Sequence, residues 1–354
     1  MTSPRRAGIV GTGLIGGSIG LALRRRGWHV TGDDRDAVRA ARALELGALD
    51  AVGTDREAEI TFLATPVQVV AEAARTALDA TAGIVTDVGS VKASIMSAIG
   101  DARFVGGHPM AGSEQEGVDG ADADLFAGAV WVLTPTPATD DAAYALVRSV
   151  IKDLGAEVVA LAPDHHDALV AVVSHVPHLT AASLMHLADE RATEHRALLR
   201  LAAGGFRDMT RIAAGHPGIW PDICAENRDA IVEVLDGLVL SLQSVREVVA
   251  NDDRAALLTV LERARSARAN LPSRVASAGD LCEVRIPVPD RAGVLAEVTT
   301  LAGTLDVNIA DLEIAHSSEG DQGVLILLVE ALAAERLRAG LTDLGYRPAV
   351  LPLE

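Results

Sequence analysis

The sequence predicts three successive parts: an α/β unit with a doubly wound parallel sheet, an all-helical unit, and a small α+β unit. In residues 1–161, short apolar strands alternate with helical patterns. In residues 162–272, long segments rich in alanine and leucine have helical periodicity. After a predicted linker at 273–280, residues 281–354 follow the order strand, helix, strand, strand, helix, strand, which is typical of a ferredoxin-like module.

Length and composition indicate a globular protein. The chain has 354 residues, of which 49% are hydrophobic, so it can bury a large core. Its apolar runs end well short of the roughly 20 residues of a membrane span, and "MTSPRRAGIVGTG" lacks the apolar region of a secretion signal. Cys224 and Cys282 lie far apart, which predicts a reducing, cytoplasmic location. The net charge of −18 argues against a general nucleic-acid binder.

The first part is predicted to contain seven strands. Most are continuous apolar runs, as expected for a sheet that is buried on both faces. The predicted strands are 7–11, 28–34, 59–66, 83–90, 103–109, 129–135 and 156–161. Helical stretches between them imply right-handed crossovers, and therefore parallel strands.

The second part is predicted to be helical throughout. Its predicted helical segments are 164–189, 191–203, 221–250 and 252–270. From Asn227 to Val249, apolar residues occupy more than one helix face. Burial of this segment against a second copy of the chain is therefore expected, which makes the predicted state a homodimer.

The segment "GIVGTGLIGGSIG" predicts a dinucleotide site of the Rossmann type. Gly11, Gly13 and Gly16 have the spacing G-x-G-x-x-G between a strand and a helix. In this arrangement the first glycine permits the turn, the second lets the backbone approach a pyrophosphate, and the third lets helix and strand pack closely. Leu14 and Ile15 begin the helix whose N-terminus would receive the phosphates.

Further cofactor contacts are predicted at the ends of later strands. Asp34, in "TGDDR", lies about 20 residues past the glycines, where a carboxylate binds the ribose 2′-hydroxyl. That carboxylate would repel a 2′-phosphate, which favours NAD, although the adjacent Arg35 leaves NADP open. Thr65 and Pro66, in "ATPV", follow another strand and are predicted to contact the same cofactor.

Six segments resemble the prephenate/arogenate dehydrogenases of tyrosine biosynthesis, from residue 7 to about residue 270. They are "GLIGGS" (13–18), "ATPV" (64–67), "DVGSVK" (87–92), "GGHPMAGSE" (106–114), "HDALVAVVSHVPH" (166–178) and "GGFRDMTRIA" (204–213). The histidine loop, S-H-x-P-H and F-R-D-x-T-R together are far more specific than the glycine motif. The C-terminal segments "VPDRAGVLAEV" and "VNIADLEI" resemble an ACT domain, a small amino-acid-sensing module.

The resemblance implies an oxidative decarboxylation of prephenate to 4-hydroxyphenylpyruvate, with NAD as hydride acceptor. It assigns His108 to the ring hydroxyl, whose proton a neutral imidazole can accept. Ser90 would hydrogen-bond the same hydroxyl, or else only close a turn after its strand. Arogenate, which would give tyrosine directly, differs from prephenate in one side chain and remains the alternative substrate.

Five further residues are implied to contact the substrate. Arg211 offers a guanidinium fork that matches a carboxylate, and Arg207 lies one helical turn earlier. His178, in "SHVPH", would touch the substrate, and Trp220 would form a wall of the pocket or part of the core. Glu114 would lie at the pocket mouth or steady the imidazole of His108.

A metal site is an alternative reading of the histidines in the second part. His165, His166, His175 and His178 could act as ligands, but neither cysteine nor a spaced acidic partner accompanies them, so no metal is expected. Asp167 is expected to pair with an arginine or a histidine and to fix the interface between the first two parts.

Two rival functions remain open from sequence. One is another two-domain NAD(P) dehydrogenase, such as a β-hydroxyacid dehydrogenase or an imine reductase. Residues 162–270 contain no lysine, which argues against the first of these. The other is a non-catalytic, NAD-linked amino-acid sensor. The ACT-like part predicts that tyrosine, or else phenylalanine, changes activity, with a purely dimerising module as the alternative.

Overall fold

The structure, a computed structural model, describes residues 4–113, 115, 117–194, 198–270, 281–289, 291, 293–316 and 322–352. They divide into two compact units, Met1–Glu247 and Val248–Glu354. The substrate candidate Glu114 and the predicted linker at 273–280 lie outside the described residues.

Strands of the first unit form one eight-stranded sheet. They are β1 (Arg6–Val10), β2 (His29–Asp33), β3 (Ala51–Val52), β4 (Ile60–Leu63), β5 (Ile84–Asp87), β6 (Phe104–Pro109), β7 (Val130–Thr134) and β8 (Glu157–Ala160). Their order is β3-β2-β1-β4-β5-β6-β7-β8, and the first six strands have the order of a dinucleotide-binding sheet. These six are parallel, as predicted.

The last two strands differ from the all-parallel prediction. β7 pairs with β6 in antiparallel register, with His108 opposite Val132, and β8 is parallel to β7. Between β6 and β7 the described residues contain only a short 3₁₀ turn, Val118–Gly120, instead of a crossover helix. A parallel return normally uses such a helix, so the chain here comes back in the opposite direction.

The helices follow in chain order. They are α1 (Leu14–Arg25), α2 (Ala37–Glu45), α3 (Val67–Ala80), α4 (Ala93–Ala98), α5 (Asp141–Asp153), α6 (Pro163–Val170), α7 (Val176–Glu194), α8 (Gly204–Thr210), α9 (Trp220–Glu226), α10 (Arg228–Ala250), α11 (Arg254–Ala269), α12 (Val294–Thr304) and α13 (Ala331–Asp343). Aspartate side chains cap several N-termini; Asp36 accepts from the amide of Val38, and Asp140 from that of Ala143.

The core of the first unit lies on both faces of the sheet. Ala7 and Ile9 of β1 and all of β4 are buried, which explains their continuous apolar sequence. Trp131 is fully buried between Phe62 and Phe126, with ring centroids 6.4 Å and 5.0 Å away.

A break in helical winding separates α6 from α7. Residues Ala171–His175 form a π-helical turn just before Pro177. Proline lacks an amide hydrogen and crowds the carbonyl four residues earlier, so a wider turn relieves this position. The whole stretch Pro163–Ala192 is long and apolar enough to cross a membrane by length and composition alone. Its first turns carry buried His166 and Asp167, which are hydrogen-bonded within the protein.

The second unit contains a small α+β fold with one four-stranded sheet. Its strands are β9 (Leu281–Pro289), β10 (Ile309–His316), β11 (Gln322–Glu330) and β12 (Ala349–Pro352), in the antiparallel order β10-β11-β9-β12. Apolar side chains of β9 and β11 pack against those of α12 and α13. This βαββαβ arrangement is ferredoxin-like, as the sequence predicted.

Candidate active site

The glycine turn after β1 has the geometry of a dinucleotide site. Gly11 has φ +92°, and a side chain there would overlap the carbonyl oxygen of Ala64. A side chain at Gly16 would overlap the carbonyl oxygen of Gly11, so helix and strand touch backbone to backbone. At Gly13, by contrast, a Cβ would meet nothing within 4 Å, which leaves room for a phosphate beside the N-terminus of α1.

Polar groups around this turn fit the ribose and phosphates of NAD. Asp34 is half-buried, and its carboxylate accepts from the backbone amide of Thr12 at 2.8 Å and from that of Asp36 at 2.9 Å. This places the predicted ribose ligand directly against the glycine turn. Thr65, next to Ala64, has a buried hydroxyl with no hydrogen-bond partner among the described residues. Pro66 precedes the first residue of α3.

His108 lies at the end of β6 in a chain of three side chains. Its Nδ1 is 2.8 Å from Nε2 of His166, and Nδ1 of His166 is 2.7 Å from a carboxylate oxygen of Asp167. The pKa of His108 is held well below its usual value by burial first, and then by His166, Lys92 and His175. The imidazole is therefore neutral at pH 7.

Asp167 joins the helical segment to the nucleotide-binding segment. Its two carboxylate oxygens accept from the backbone amides of Lys92 and Ala93, each at 2.8 Å, at the start of α4. The amide of Asn227 donates to the carbonyl of Asp167 at 2.8 Å and to Nδ1 of His175 at 3.1 Å. The expected pairing of Asp167 with a histidine is thus present, with His166 as the partner.

A buried ion pair supports the strand ends beneath His108, and sequence reasoning did not assign it. Lys92 is fully buried; its Nζ contacts the carboxylate of Asp87 and donates to the carbonyl of Gly107 at 2.9 Å. Burial lowers the pKa of Lys92, and Asp87 opposes this. Asp87 also accepts from the amide of Gly107 at 3.1 Å. The signal available in the sequence was the lysine of "DVGSVK", a segment that directly follows a buried strand.

Two histidines of the S-H-x-P-H motif flank Trp220. His178 stacks on the indole, with 3.6 Å between ring centroids and an angle of 12°, and burial lowers its pKa. The ring of His175 lies perpendicular to the indole at 6.2 Å. Burial lowers the pKa of His175 to about 4, although Asp167 raises it. Its Nε2 has no hydrogen-bond partner among the described groups.

A cleft of about 620 Å³ brings some of the substrate candidates together. Its lining includes His178, Arg211 and Trp220, together with Gly112 and Ser113 of the loop that follows β6. His108 itself is buried on the strand that leads into this loop.

The other candidates are not in the described lining of this cleft. Ser90 is half-buried between β5 and α4. Arg207 is exposed on α8 and donates to the carbonyl of Ala202 at 3.1 Å. Over the described part of the chain, no group of three or more histidine, cysteine, aspartate or glutamate side chains is placed to hold a metal ion.

Comparison with known proteins places the chain in a family. Residues 19–160 match the model for the nucleotide-binding domain of prephenate dehydrogenase, and residues 162–263 match the model for its dimerization domain. A prephenate dehydrogenase from Bacillus subtilis is 34% identical over 334 residues, which covers 90% of each chain. A cyclohexadienyl dehydrogenase from Zymomonas mobilis is 35% identical over 285 residues, or 76% of this chain and 96% of the relative.

A solved structure agrees with these relatives. Prephenate dehydrogenase from A. aeolicus, in complex with hydroxyphenyl propionate and NAD+, superposes with a TM-score of 0.71 at 32% identity. The match covers 77% of this chain and 99% of that one. The nucleotide-binding sheet, the helical segment and the similarity over most of the chain lead to one assignment: this chain belongs to the prephenate dehydrogenase family of NAD-dependent oxidoreductases.

Proposed function

We propose that this chain catalyses the NAD-dependent oxidative decarboxylation of prephenate to 4-hydroxyphenylpyruvate, a step of tyrosine biosynthesis. The observation that carries this proposal is the position of His108. Its imidazole is neutral and lies at the carboxyl end of β6, the sheet edge at which the glycine turn follows β1. Ligands of such sheets bind outside the carboxyl ends of the strands.

His108 is the proposed base for the ring hydroxyl. NAD held at the glycine turn would supply the hydride acceptor for the carbon that carries this hydroxyl. As that C–H bond breaks, His108 accepts the hydroxyl proton. Carbon dioxide then leaves from the opposite ring carbon, the electrons of the broken bond make the ring aromatic, and His108 returns the proton to the oxygen. Ser90 would hydrogen-bond the same oxygen.

The cleft supports binding of a planar, anionic substrate. Arg211 offers a cation for a carboxylate, and the stacked His178 and Trp220 offer flat surfaces for the ring. The similarity to a prephenate dehydrogenase favours prephenate as the substrate, whereas the carboxylate of Glu114 at the pocket mouth is a candidate partner for the ammonium of arogenate. Arg207 and Glu114 remain proposed substrate contacts at its periphery.

The test is NADH formation with prephenate and arogenate measured side by side. We expect prephenate to be the better substrate, and His108→Asn to lower kcat about 10²- to 10⁴-fold while NAD still binds. His165→Asn is the matched control, because His165 is an exposed histidine of the same helix as His166. A higher kcat/KM for arogenate would reassign the substrate. No turnover of either substrate, with NAD bound, would favour the sensor function.

The pH dependence of kcat/KM gives a second test of His108. Its pKa is lowered, so the unprotonated base persists below pH 6.5, and activity should be lost only at clearly lower pH. An acid limb centred at or above pH 6.5 would show that a different group, or a solvent-exposed histidine, acts as the base.

The domain division and assembly are also proposals. We place a nucleotide-binding domain at 1–161, a helical substrate and dimerisation domain at 162–272, a linker at 273–280 and an ACT-like domain at 281–354. Exposed apolar side chains on α10, including Val239, Leu240 and Leu242, support a homodimer. Sedimentation of the full chain as a monomer at micromolar concentration would refute the homodimer.

The two unpaired cysteines support a cytoplasmic location.

The ferredoxin-like arrangement of the second unit supports an ACT-like domain with tyrosine as effector. Tyrosine sensitivity should then depend on residues 281–354, and a chain that ends before residue 281 should lose it. Unchanged tyrosine sensitivity in that shortened chain would place tyrosine in the active site instead.

A further inference from the structure

The hydrogen-bonded chain from Asp167 through His166 to His108 has a chemical direction. His166 is fully buried between the other two side chains, and its two ring nitrogens face different partners. Asp167 accepts two backbone amides at the start of α4, which is a role for an ionised carboxylate. The proton in its contact with His166 must therefore lie on Nδ1 of His166.

This proton fixes the remaining ones in turn. A neutral His166 that carries a hydrogen on Nδ1 has a lone pair on Nε2. Nδ1 of His108 lies 2.8 Å from that lone pair, so it must carry the hydrogen of this contact. The unprotonated nitrogen of His108 is then Nε2. Among the ring nitrogens of His166 and His108, it is the one left to accept a proton from a substrate.

We propose that His166 is a positioning residue that selects the reactive tautomer of His108. This inference rests on the proposed function, in which His108 is the base. Without the acceptor at Nε2 of His166, the neutral imidazole of His108 can place its hydrogen on either nitrogen. Molecules with the hydrogen on Nε2 cannot accept the substrate proton there. His166 also locks the ring orientation, since the two imidazoles lie edge to face with centroids 5.0 Å apart.

The groups around His108 favour its neutral imidazole. His108 faces His166 on α6, His175 on the π-helical turn and Lys92 beside α4, and all three lower its pKa. The single carboxylate bonded to this histidine chain, in the part of the protein that the structure describes, is Asp167. A proton taken up at Nε2 of His108 leaves its Nδ1–H donating to His166, so the imidazolium remains hydrogen-bonded toward Asp167.

The tautomer itself is measured by nitrogen NMR on the full-length protein with NAD bound and ¹⁵N-labelled histidine. The chain has ten histidines, and the signals absent in His108→Asn identify His108. We expect a protonated Nδ1 and an unprotonated Nε2 at pH 7.5. A hydrogen on Nε2, or a charged ring, would overturn the proposal. The NMR measurement needs no turnover, so it tests the tautomer of His108 independently of the proposed function. Full activity of His108→Asn would instead show that the proposed function of His108 as the base is wrong.

Two variants of His166 separate positioning from folding. Glutamine carries a polar atom near the place of Nε2, so His166→Gln keeps an acceptor for His108. Asparagine carries one near Nδ1, so His166→Asn keeps the contact with Asp167 and loses the one with His108. We expect His166→Asn to lower kcat about 10²-fold with KM and NAD affinity unchanged, and to give mixed His108 tautomers. His166→Gln should restore most of kcat.

The outcomes are distinguishable. Wild-type kcat in His166→Asn would overturn the positioning role. Equal loss of kcat in both variants, with an equal loss of thermal stability, would mean that His166 only packs between Asp167 and His108. His165→Asn, on the exposed neighbour, should leave kcat and the His108 tautomer unchanged.

Discussion

Acid should destabilise the first unit through the buried His175. The pKa of this imidazole is about 4 in the folded protein, compared with about 6.5 in an unfolded chain. Because the folded value is the lower one, the unfolded chain binds the proton first. The contribution of neutral His175 to the free energy of unfolding is therefore fully present above pH 6.5 and is lost as the pH falls toward 4.

The magnitude follows from the separation of the two pKa values. Between pH values above 6.5 and below 4, the free energy of unfolding should fall by about 3 kcal/mol. About 2 kcal/mol of this fall should occur between pH 8 and pH 5. The side chain is only 1% exposed, so solvent relieves little of this cost. The lowered pKa of His108 acts in the same direction, so the wild-type loss should exceed the contribution of His175.

Tryptophan fluorescence during urea unfolding provides the assay. All three tryptophans, Trp28, Trp131 and Trp220, lie in the first unit and report its unfolding. His175→Asn keeps an acceptor for Asn227 but does not titrate, so it should lose about 2 kcal/mol less than the wild type between pH 8 and pH 5.

His186→Asn, an exposed histidine on α7, should behave as the wild type does. An equal loss in wild type and His175→Asn would refute the assignment of this acid sensitivity to His175.

Three further predictions concern the glycine turn and the buried ion pair. Gly11→Ala should lower the unfolding free energy by about 1–3 kcal/mol, because its positive φ and the carbonyl of Ala64 leave no room for a methyl group. Gly13→Ala should unfold as the wild type does but bind NAD about tenfold more weakly in a calorimetric titration, and unchanged affinity would contradict the pyrophosphate role. Lys92→Met should cost about 3–5 kcal/mol in urea unfolding by leaving Asp87 unpaired. Adding Asp87→Asn should recover most of that loss, and no recovery would show that Lys92 acts through packing instead.

The parallel part of the first sheet was predictable because its strands are buried on both faces and read as apolar runs. β3 was not predicted, since its two residues, Ala51 and Val52, are exposed and carry no pattern. The direction of β7 also escaped prediction. The sequence between β6 and β7 lacks a helical segment of crossover length, and that absence was the available signal.

The candidate site was predictable as a set of residue types, and less so as an arrangement. His165 and His166 are adjacent in sequence, yet the first is exposed and the second fully buried. Neighbouring residues of a helix point about 100° apart, and a sequence does not say which of two histidines faces inward. The burial of Lys92 was equally unpredictable, because a single lysine after a strand is usually solvated and the sequence does not identify its partner.

The double attachment of Asp167 has a consequence for protein engineering. The two family matches meet between residues 160 and 162, which is the natural place to cut a chimera of two relatives. A cut there would take Asp167 from one parent and the amides of Lys92 and Ala93 from the other. Backbone amides are present in every sequence, so a graft at the family boundary keeps these two hydrogen bonds only where the start of α4 occupies the same position in both parents. Grafts that exchange residues 87–93 together with the helical domain move both donors and their acceptor as one piece, and so keep the surroundings of His166 intact.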